Sequence, residues 1–217
     1  MAIELPGMVS FLLSMTTLAL IYALLALGLN VHYGYTGLLN FGHVAFFAAG
    51  AYTAAIVTIP PPGTVSGGAD YAIGLGVPMP FGVVISLGAS ALVGGILALL
   101  IGLTSVRLGN HYLAIATFAL AGIFEEFIRN EAWLTRGVIG LNNVPKPGRS
   151  ALGADLWGLV YMLFAAALVV GTYLVIERLM GAPFGRLLKG IREDEQAARM
   201  LGKSTSQVKL KSFAIGG

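Results

Sequence analysis

Five long apolar runs restrict the possible folds of this chain more than any other feature of its sequence. They cover approximately residues 9–32, 38–59, 80–103, 110–128 and 154–177. A helix needs about 20 apolar residues to cross the hydrocarbon core of a bilayer. Only 11% of the residues are charged, against about 25% in a typical soluble domain. The sequence therefore predicts an all-α, polytopic transmembrane helical bundle with about five complete spans and the start of a sixth.

The stretch between the first two runs is unusual for a membrane protein. It contains Gly34, Gly37 and Gly42, and Asn40 and His43 fall within the predicted second helix. Open backbone at membrane depth is tolerated only where it contacts protein or a watery cavity. Broken helices beside polar groups are typical of transporter pathways. This stretch therefore indicates a transport function.

Polar side chains within the runs are candidates for that pathway. A helix over 38–59 would place Asn40, His43 and Phe47 on one face, at i, i+3 and i+7. They could line a pore, or Asn40 and His43 could form hydrogen bonds between helices. Tyr35 and Thr36, in the break, are candidate donors to a substrate carboxylate.

Charged residues end the fourth run. Glu125 and Arg129 have the i, i+4 spacing of an intrahelical ion pair, and Glu126 has i, i+3 spacing to the same arginine. The pair could be an ordinary exposed ion pair. It could also flank the mouth of the transport pathway.

The distribution of basic residues predicts the orientation in the membrane. Eight of the 13 Lys and Arg residues lie between Arg178 and Lys211, and Arg107 falls on the same side. The opposite side has four basic residues, all in the loop over 129–153. Because cytoplasmic loops are enriched in Lys and Arg, the sequence predicts a multi-pass cell-membrane protein with 178–211 in the cytoplasm and the N-terminus outside. The clustering indicates membrane orientation and not nucleic-acid binding.

A charged segment after the fifth run has the pattern of a short exposed helix. Acidic residues precede a small apolar stripe, a glycine follows as a terminator, and Ser204 with Gln207 resembles a capping box. The acidic residues and the stripe are Glu193, Asp194, Glu195, Ala197, Ala198 and Leu201, and the glycine is Gly202. The helix could dock into a groove on another protein, or the segment could be an ordinary solvated loop.

The chain has no recognisable energy-converting or catalytic motif. The phosphate-binding pattern G-x-x-x-x-G-K-[ST], the nucleophile elbow G-x-S-x-G and the zinc pair H-E-x-x-H do not occur. The chain has no cysteine, and His32, His43 and His111 lie on separate predicted elements. The sequence therefore predicts a protein that is not an enzyme and that has neither a catalytic residue, a metal site nor a cofactor. Energy for transport must come from a partner or from an ion gradient.

Four blocks, in order, resemble the LivM-type permease, the membrane subunit of branched-chain amino-acid ABC transporters. They read GLNVHYGYTGLLNFGHVAFFAAGAYTAA, SVRLGNHYLAIATFALAGIFEEFIR, TRGVIGLNNVPKP and IREDEQAARMLGKSTSQVKLKSFAI. The resemblance covers nearly the whole chain. It implies an ABC importer permease that works with a LivH-type permease, two cytoplasmic ATPase subunits that bind the ATP, and an extracytoplasmic substrate-binding protein.

The resemblance also assigns a role to the charged segment, at about 180–207. It identifies the segment as the ATPase-coupling loop, formed by Arg192, Glu193, Asp194, Glu195, Ala197, Ala198, Leu201 and Gly202. The chain is expected to be one permease domain over 1–217, and an incomplete one, because it stops just after Phe213 begins another apolar run. Two alternatives remain: a permease of the same family for urea or another small solute, and an ion-coupled secondary transporter.

Overall fold

The computed structural model describes residues 7–61, 73–78, 81–105, 108, 110–142, 144–146 and 148–217. Regular structure in this part of the chain is entirely helical, which confirms the predicted all-α fold. The helices are α1 (Gly7–Asn30), α2 (His43–Thr58), α3 (Phe81–Ser105), α4 (Asn110–Asn130), α5 (Ala132–Thr135), α6 (Arg149–Gly181), α7 (Pro183–Glu193), α8 (Glu195–Met200) and α9 (Thr205–Gly216). A π-helical turn, Val31–Tyr35, extends α1, and a 3-10 turn, Gly137–Ile139, follows α5.

Four described helical segments are long and apolar enough to cross a membrane. They are Gly7–Tyr35, Phe81–Thr104, His111–Asn130 and Leu156–Gly181. Their surfaces expose many large apolar side chains, Phe11, Ile115 and Phe118 among them. Contiguous apolar surface of this kind is rare on soluble monomers and suits contact with lipid.

The second run forms a shorter helix than the sequence predicts. Its helix, α2, has only 16 residues, because residues 37–40 are not helical and the helix begins at His43. Gly37 has a φ of +72°, a left-handed conformation that few other residues adopt readily. Residues 38–59 are therefore apolar along the whole run but helical in only part of it.

Two compact units divide the chain. Unit 1 comprises Met1–Thr36, Gly148–Thr205 and Gly216, and within it α1 packs against α6. Unit 2 comprises Gly37–Pro147, Ser206–Ile215 and Gly217, and within it α2 packs against α3 and α4. The core of unit 2 contains Leu38, Phe46, Ala98, Ile101, Leu113 and Phe213.

In unit 1, the π-helical turn at the end of α1 satisfies its carbonyl groups with specific partners. The Thr36 hydroxyl donates to the Val31 carbonyl oxygen at 3.0 Å, and the Thr36 backbone N–H donates to the Tyr33 carbonyl oxygen. The guanidinium of Arg192, near the end of α7, donates to the Gly34 carbonyl oxygen. Since the last carbonyl groups of a helix lack intrahelical donors, these contacts define where the first span ends.

In unit 2, the non-helical residues before α2 contact α4 through a hydrogen bond and close packing. The Phe41 backbone N–H donates to the Thr117 hydroxyl at 3.1 Å, and the Gly42 N–H donates to the Asn40 side-chain oxygen at 3.0 Å. Asn40 and Thr117 are both buried. These polar side chains thus accept hydrogen bonds from backbone N–H groups that lipid could not satisfy. Asn40 lies in this turn and not on α2, so the predicted helical face that it shares with His43 and Phe47 is wrong.

Substitution of Gly42 tests the close packing of this turn against α4. A Cβ atom at Gly42 would lie 2.4 Å from the Thr117 backbone carbonyl oxygen, which cannot move without shifting α4. We expect Gly42→Ala to lower the free energy of unfolding by about 1–3 kcal/mol, as overpacking does. Thermal unfolding of the purified protein in detergent measures this loss.

The matched control is Gly88→Ala on α3, where an added Cβ meets open space. Alanine favours a helix over glycine by about 1 kcal/mol, so this variant should unfold at the wild-type temperature or slightly above it. Equal unfolding temperatures for the two variants would show that the turn does not pack as described.

Candidate functional site

The charged segment after α6, in unit 1, contains a six-residue helix, α8, with both ends capped. Asp194, in extended conformation, separates α7 from α8, and its Oδ1 accepts from the Ala197 N–H at 2.9 Å. Asp194 and Glu195 therefore lie at a helix start, as predicted. Glu193 does not, because it is the last residue of α7.

The other end of α8 has the hydrogen bonds of a Schellman motif. The Gly202 N–H donates to the Arg199 carbonyl oxygen at 2.9 Å, and the Lys203 N–H donates to the Ala198 carbonyl oxygen at 3.1 Å. Gly202 has a φ of +75°, which this cap requires. The prediction that Gly202 ends the helix is confirmed.

Side chains further restrain α8. Arg199 forms an ion pair with Glu195 at 2.7 Å, and its Nε donates to the Thr205 hydroxyl at 3.0 Å. An isolated helix of this length is unstable in water. The two caps and these contacts together therefore account for the ordered conformation of the segment.

The apolar side chains of α8 and its C-cap are divided between the interior and the surface. Ala198 is buried, whereas Ala197 is exposed and Leu201 is 78% exposed. Met200, which is not part of the predicted stripe, is 86% exposed. The predicted stripe of Ala197, Ala198 and Leu201 is thus split, and Met200 and Leu201 together form an exposed apolar tip on an otherwise charged segment.

The helix that leads into α8 also contacts the end of the first span. Besides the hydrogen bond from Arg192 to Gly34, the Lys189 ammonium lies 5.8 Å from the centre of the Tyr35 ring. Helix α7 buries Gly185, Leu188 and Ile191 and exposes Lys189 and Arg192. The basic face of α7 is therefore joined to the π-helical turn, immediately before the chain enters α8.

Unit 2 contains a cavity of about 550 Å³ between α2 and α4. Most of its lining is apolar, and Glu125 and Arg129 contribute charge at one end. Arg129 Nη2 lies 2.7 Å from Glu125 Oε1, and each side chain is more than half exposed. The predicted ion pair is confirmed, and it lies beside an open cavity.

Thr135 holds the 3-10 turn that closes one side of this cavity. Its hydroxyl is 2.5 Å from the Ile128 carbonyl oxygen and accepts from the Gly137 N–H at 3.2 Å. Arg136, at φ +65°, and Gly137, at φ +61°, make the sharp turn that brings Gly137 and Val138 to the lining. The sequence pattern of this loop does not indicate the role of Thr135.

The six candidate residues of the translocation path fall in different places. Tyr35 and Thr36 belong to unit 1, and the Thr36 hydroxyl already donates to a backbone carbonyl. In unit 2, Asn40 in the turn before α2 and His43 at the start of α2 are both buried, and the His43 ring meets the Phe46 ring edge-on at 5.8 Å. Glu125 and Arg129 are the two that line the cavity. A direct contact of any of the six with substrate stays a prediction.

The chain matches a family model described as "Branched-chain amino acid transport system / permease component" over residues 11–217. It is 32% identical over 238 residues to the high-affinity branched-chain amino acid transport system permease protein LivM of Escherichia coli (strain K12), covering 99% of this chain and 52% of that protein. It is 26% identical over 220 residues to the probable branched-chain amino acid transport permease protein LivM of Methanocaldococcus jannaschii, covering 90% of this chain and 61% of that protein. No solved structure matches the chain.

The chain thus spans about half the length of the E. coli relative. These relatives are transport permeases by name, and the four apolar helices are those of a multi-pass membrane protein. The resemblance found in the four sequence blocks is confirmed over nearly the whole chain. The chain belongs to the family of permease components of branched-chain amino acid transport systems.

Proposed function

We propose that this chain is a membrane-spanning subunit of an ATP-driven importer for branched-chain amino acids. In this proposal α8 is the segment on which a separate ATPase subunit acts. The observation that carries the proposal is the geometry of α8, a short helix capped at both ends that exposes Met200 and Leu201. Family membership supplies the class of transporter and of substrate.

The exposed tip of α8 suits a helix-in-groove interaction. Two adjacent apolar side chains protrude from a segment whose other exposed residues include Arg192, Glu193 and Lys203. Exposed apolar residues rimmed by charges are typical of protein-binding surfaces. The contacts that restrain α8 reduce the entropy that it would lose on docking, which favours binding.

One observation supports a cytoplasmic location of α8, and a second extends that location to the end of α1. The excess of Lys and Arg after α6 favours the cytoplasmic side. In addition, the contact between Arg192 and Gly34 places the end of α1 beside the segment that leads into α8. Both observations agree with a first span that runs from outside to inside.

The same contact suggests how motion at α8 reaches the membrane. A shift of α8 would move the end of α7, and Arg192 would carry that shift to the π-helical turn of α1. In transporters of this general kind, one helical bundle rocks against another to alternate access. The chain itself has no phosphate-binding loop, so in this proposal ATP is bound by two cytoplasmic ATPase subunits. A LivH-type permease and an extracytoplasmic substrate-binding protein complete the proposed importer.

Cysteine labelling tests the orientation on which this proposal depends. The chain has no cysteine, so Met200→Cys creates a single reactive thiol at a highly exposed position. We expect a membrane-impermeant maleimide to label this variant in inside-out vesicles and not in intact cells. Val138→Cys, 83% exposed in the loop predicted to be outside, is the matched control and should show the reverse pattern. Labelling of Met200→Cys from outside intact cells would overturn the proposal.

Transport by the assembled complex tests the energy source and the substrate. Proteoliposomes that contain this chain with its partner subunits should import leucine when ATP is supplied to the ATPase side. A protonophore at constant ATP should leave that import unchanged. Import that the protonophore abolishes would instead favour an ion-coupled transporter, and import of urea without leucine would assign another solute.

A further inference from the structure

The cavity between α2 and α4 combines an apolar wall with an ion pair of opposite charges. We propose that it binds one branched-chain amino acid as its zwitterion, at the outer end of the permease. This inference rests on the proposed function and deepens it, because it assigns the substrate a binding site and assigns each charged group a role. The aliphatic side chain lies against the apolar wall, the ammonium faces Glu125, and the carboxylate faces Arg129.

The ion pair retains the hydrogen-bonding capacity that such a ligand needs. The salt bridge joins Glu125 Oε1 to Arg129 Nη2. The second carboxylate oxygen of Glu125 can accept from an ammonium, and the remaining N–H groups of Arg129 can donate to a carboxylate. A zwitterion can therefore lie alongside the pair without breaking it, with its charges antiparallel to those of the protein.

Overall neutrality favours a zwitterion over a simple ion at this position. The pair itself has no net charge, and α4 is an apolar helix long enough to cross the membrane. A lone cation or anion would add an unbalanced charge beside this apolar region, where charges are costly. An amino acid adds two opposite charges, each of which meets a complementary group of the protein. Charge complementarity thus selects a ligand that carries both an ammonium and a carboxylate.

The rest of the lining suits an aliphatic side chain. Val44, Ala48, Phe118, Phe124 and Ile128 surround the remainder of the cavity. A volume of about 550 Å³ falls within the range of about 300–1,000 Å³ that is usual for small-molecule sites. Burial of an aliphatic side chain against such a wall is favourable by about 25 cal/mol per Å² of apolar surface. The apolar wall thus favours binding of a branched aliphatic side chain, and the charged end of the cavity fixes the orientation of the ligand.

The backbone around the cavity is held by contacts within unit 2. Hydrogen bonding to Thr117 and close packing of Gly42 position the start of α2 against α4. The Thr135 contacts position Gly137 and Val138. A preorganised site loses less conformational entropy when the ligand binds.

Photolabelling of the assembled complex tests the site directly. The probe is photo-leucine, a leucine analogue with a diazirine in its side chain, applied without ATP and followed by peptide mapping. We expect adducts on α2 and α4, at residues that line the cavity. Excess L-leucine should suppress these adducts at least about tenfold more effectively than either of two analogues. One analogue is 4-methylpentanoate, which lacks the ammonium, and the other is 3-methylbutylamine, which lacks the carboxylate. Each analogue loses one charge-assisted contact with the protein.

Variants separate recognition of the zwitterion from effects on folding. We expect Glu125→Gln to weaken photo-leucine labelling of the cavity by about tenfold or more, because the ammonium loses its charged acceptor. Glu126→Gln is the matched control. Glu126 is an exposed neighbour whose side chain accepts from Asn130 at 3.3 Å and lies outside the cavity lining. Labelling of this control should equal that of the wild type.

Filling the cavity tests the role of the apolar wall independently of charge. Gly122 lines the cavity, and a Cβ added there meets open space. We expect Gly122→Leu to lower labelling at least tenfold while the protein remains folded. Gly171→Leu on α6, where an added Cβ also meets open space, should leave labelling unchanged.

Three results would overturn the inference. The first is that adducts map to residues that do not line the cavity. The second is equal competition by leucine and by both singly charged analogues, which would show that the ion pair is not used. The third is labelling that no amino acid suppresses but an excess of phospholipid does, which would identify a lipid in the cavity. Each of these results leaves the proposed function intact if the complex still imports leucine with ATP. If instead the cavity is labelled but the wild-type complex does not import leucine with ATP, the proposed function alone is contradicted.

Discussion

Replacement of both Met200 and Leu201 by aspartate should nearly abolish ATP-driven import by the complex. The two side chains are 86% and 78% exposed, so the variant removes the apolar tip without disturbing the packing of unit 1. Loss of a central apolar contact costs about 2 kcal/mol or more at a protein interface. Burial of two carboxylates in an apolar groove adds a desolvation penalty. We therefore expect leucine uptake in proteoliposomes to fall by at least about 30-fold.

The control keeps the tip apolar and changes its shape only slightly. Met200→Leu with Leu201→Met exchanges the two residue types, and volume-conserving apolar exchanges are usually well tolerated. This variant should import leucine at a rate within about twofold of the wild type. Co-purification with the ATPase subunits provides a second measurement, since the aspartate variant should lose them and the exchange variant should retain them. Normal import by the aspartate variant would show that α8 is not the coupling helix.

Replacement of Arg192 by alanine should uncouple ATP hydrolysis from import. Arg192 donates to the Gly34 carbonyl oxygen, so its loss leaves the end of α1 without this link to α7. A hydrogen bond to a charged group contributes about 1.5–3 kcal/mol. We expect leucine uptake to fall about tenfold while the ATPase rate of the complex is largely retained. The number of ATP molecules hydrolysed per leucine imported measures the effect, and a merely destabilised protein would lower both rates together.

Arg186→Ala is the matched control for that experiment. Arg186 is an exposed arginine on the same helix, one residue after the buried Gly185. Its replacement removes the same charge from α7, so general electrostatic effects on membrane orientation should be similar. Arg192→Lys, which retains a cationic donor, should restore part of the import. An unchanged stoichiometry in Arg192→Ala would show that the contact with Gly34 does not transmit motion.

The local features that could be predicted from the sequence are those with strong short-range causes. Asp194 and Gly202 were predicted as helix-terminal residues, because N-caps and left-handed C-terminal positions depend on neighbouring backbone groups. The Glu125–Arg129 pair was predicted from i, i+4 spacing for the same reason. Glu193 was assigned incorrectly, since the boundary between α7 and α8 depends on the extended conformation of one residue.

The non-local partners of the polar groups could not be predicted in this way. Nothing in the spacing of residues 37–42 indicates that Thr117 accepts from Phe41, 76 residues apart in the chain. The contact of Arg192 with Gly34 spans 158 residues. One sequence signal for this contact was available. Thr117 is an isolated threonine within the apolar fourth run, and a polar side chain at membrane depth needs a hydrogen-bond partner.

The sequence by itself determined the class of this protein: a membrane-spanning permease of helices, with a short charged helix after α6. Composition and apolar run length are sufficient to predict the membrane-spanning helices, because lipid requires every exposed backbone group to be bonded within its own helix. The permease class followed from the four sequence blocks that resemble LivM-type permeases. Only the tertiary structure decided where the second run becomes helical, which apolar side chains of α8 remain exposed, and that the ion pair of α4 lies beside a cavity. These features depend on which distant groups meet in the folded chain, and the order of residues along α2, α4 and α8 does not specify those contacts.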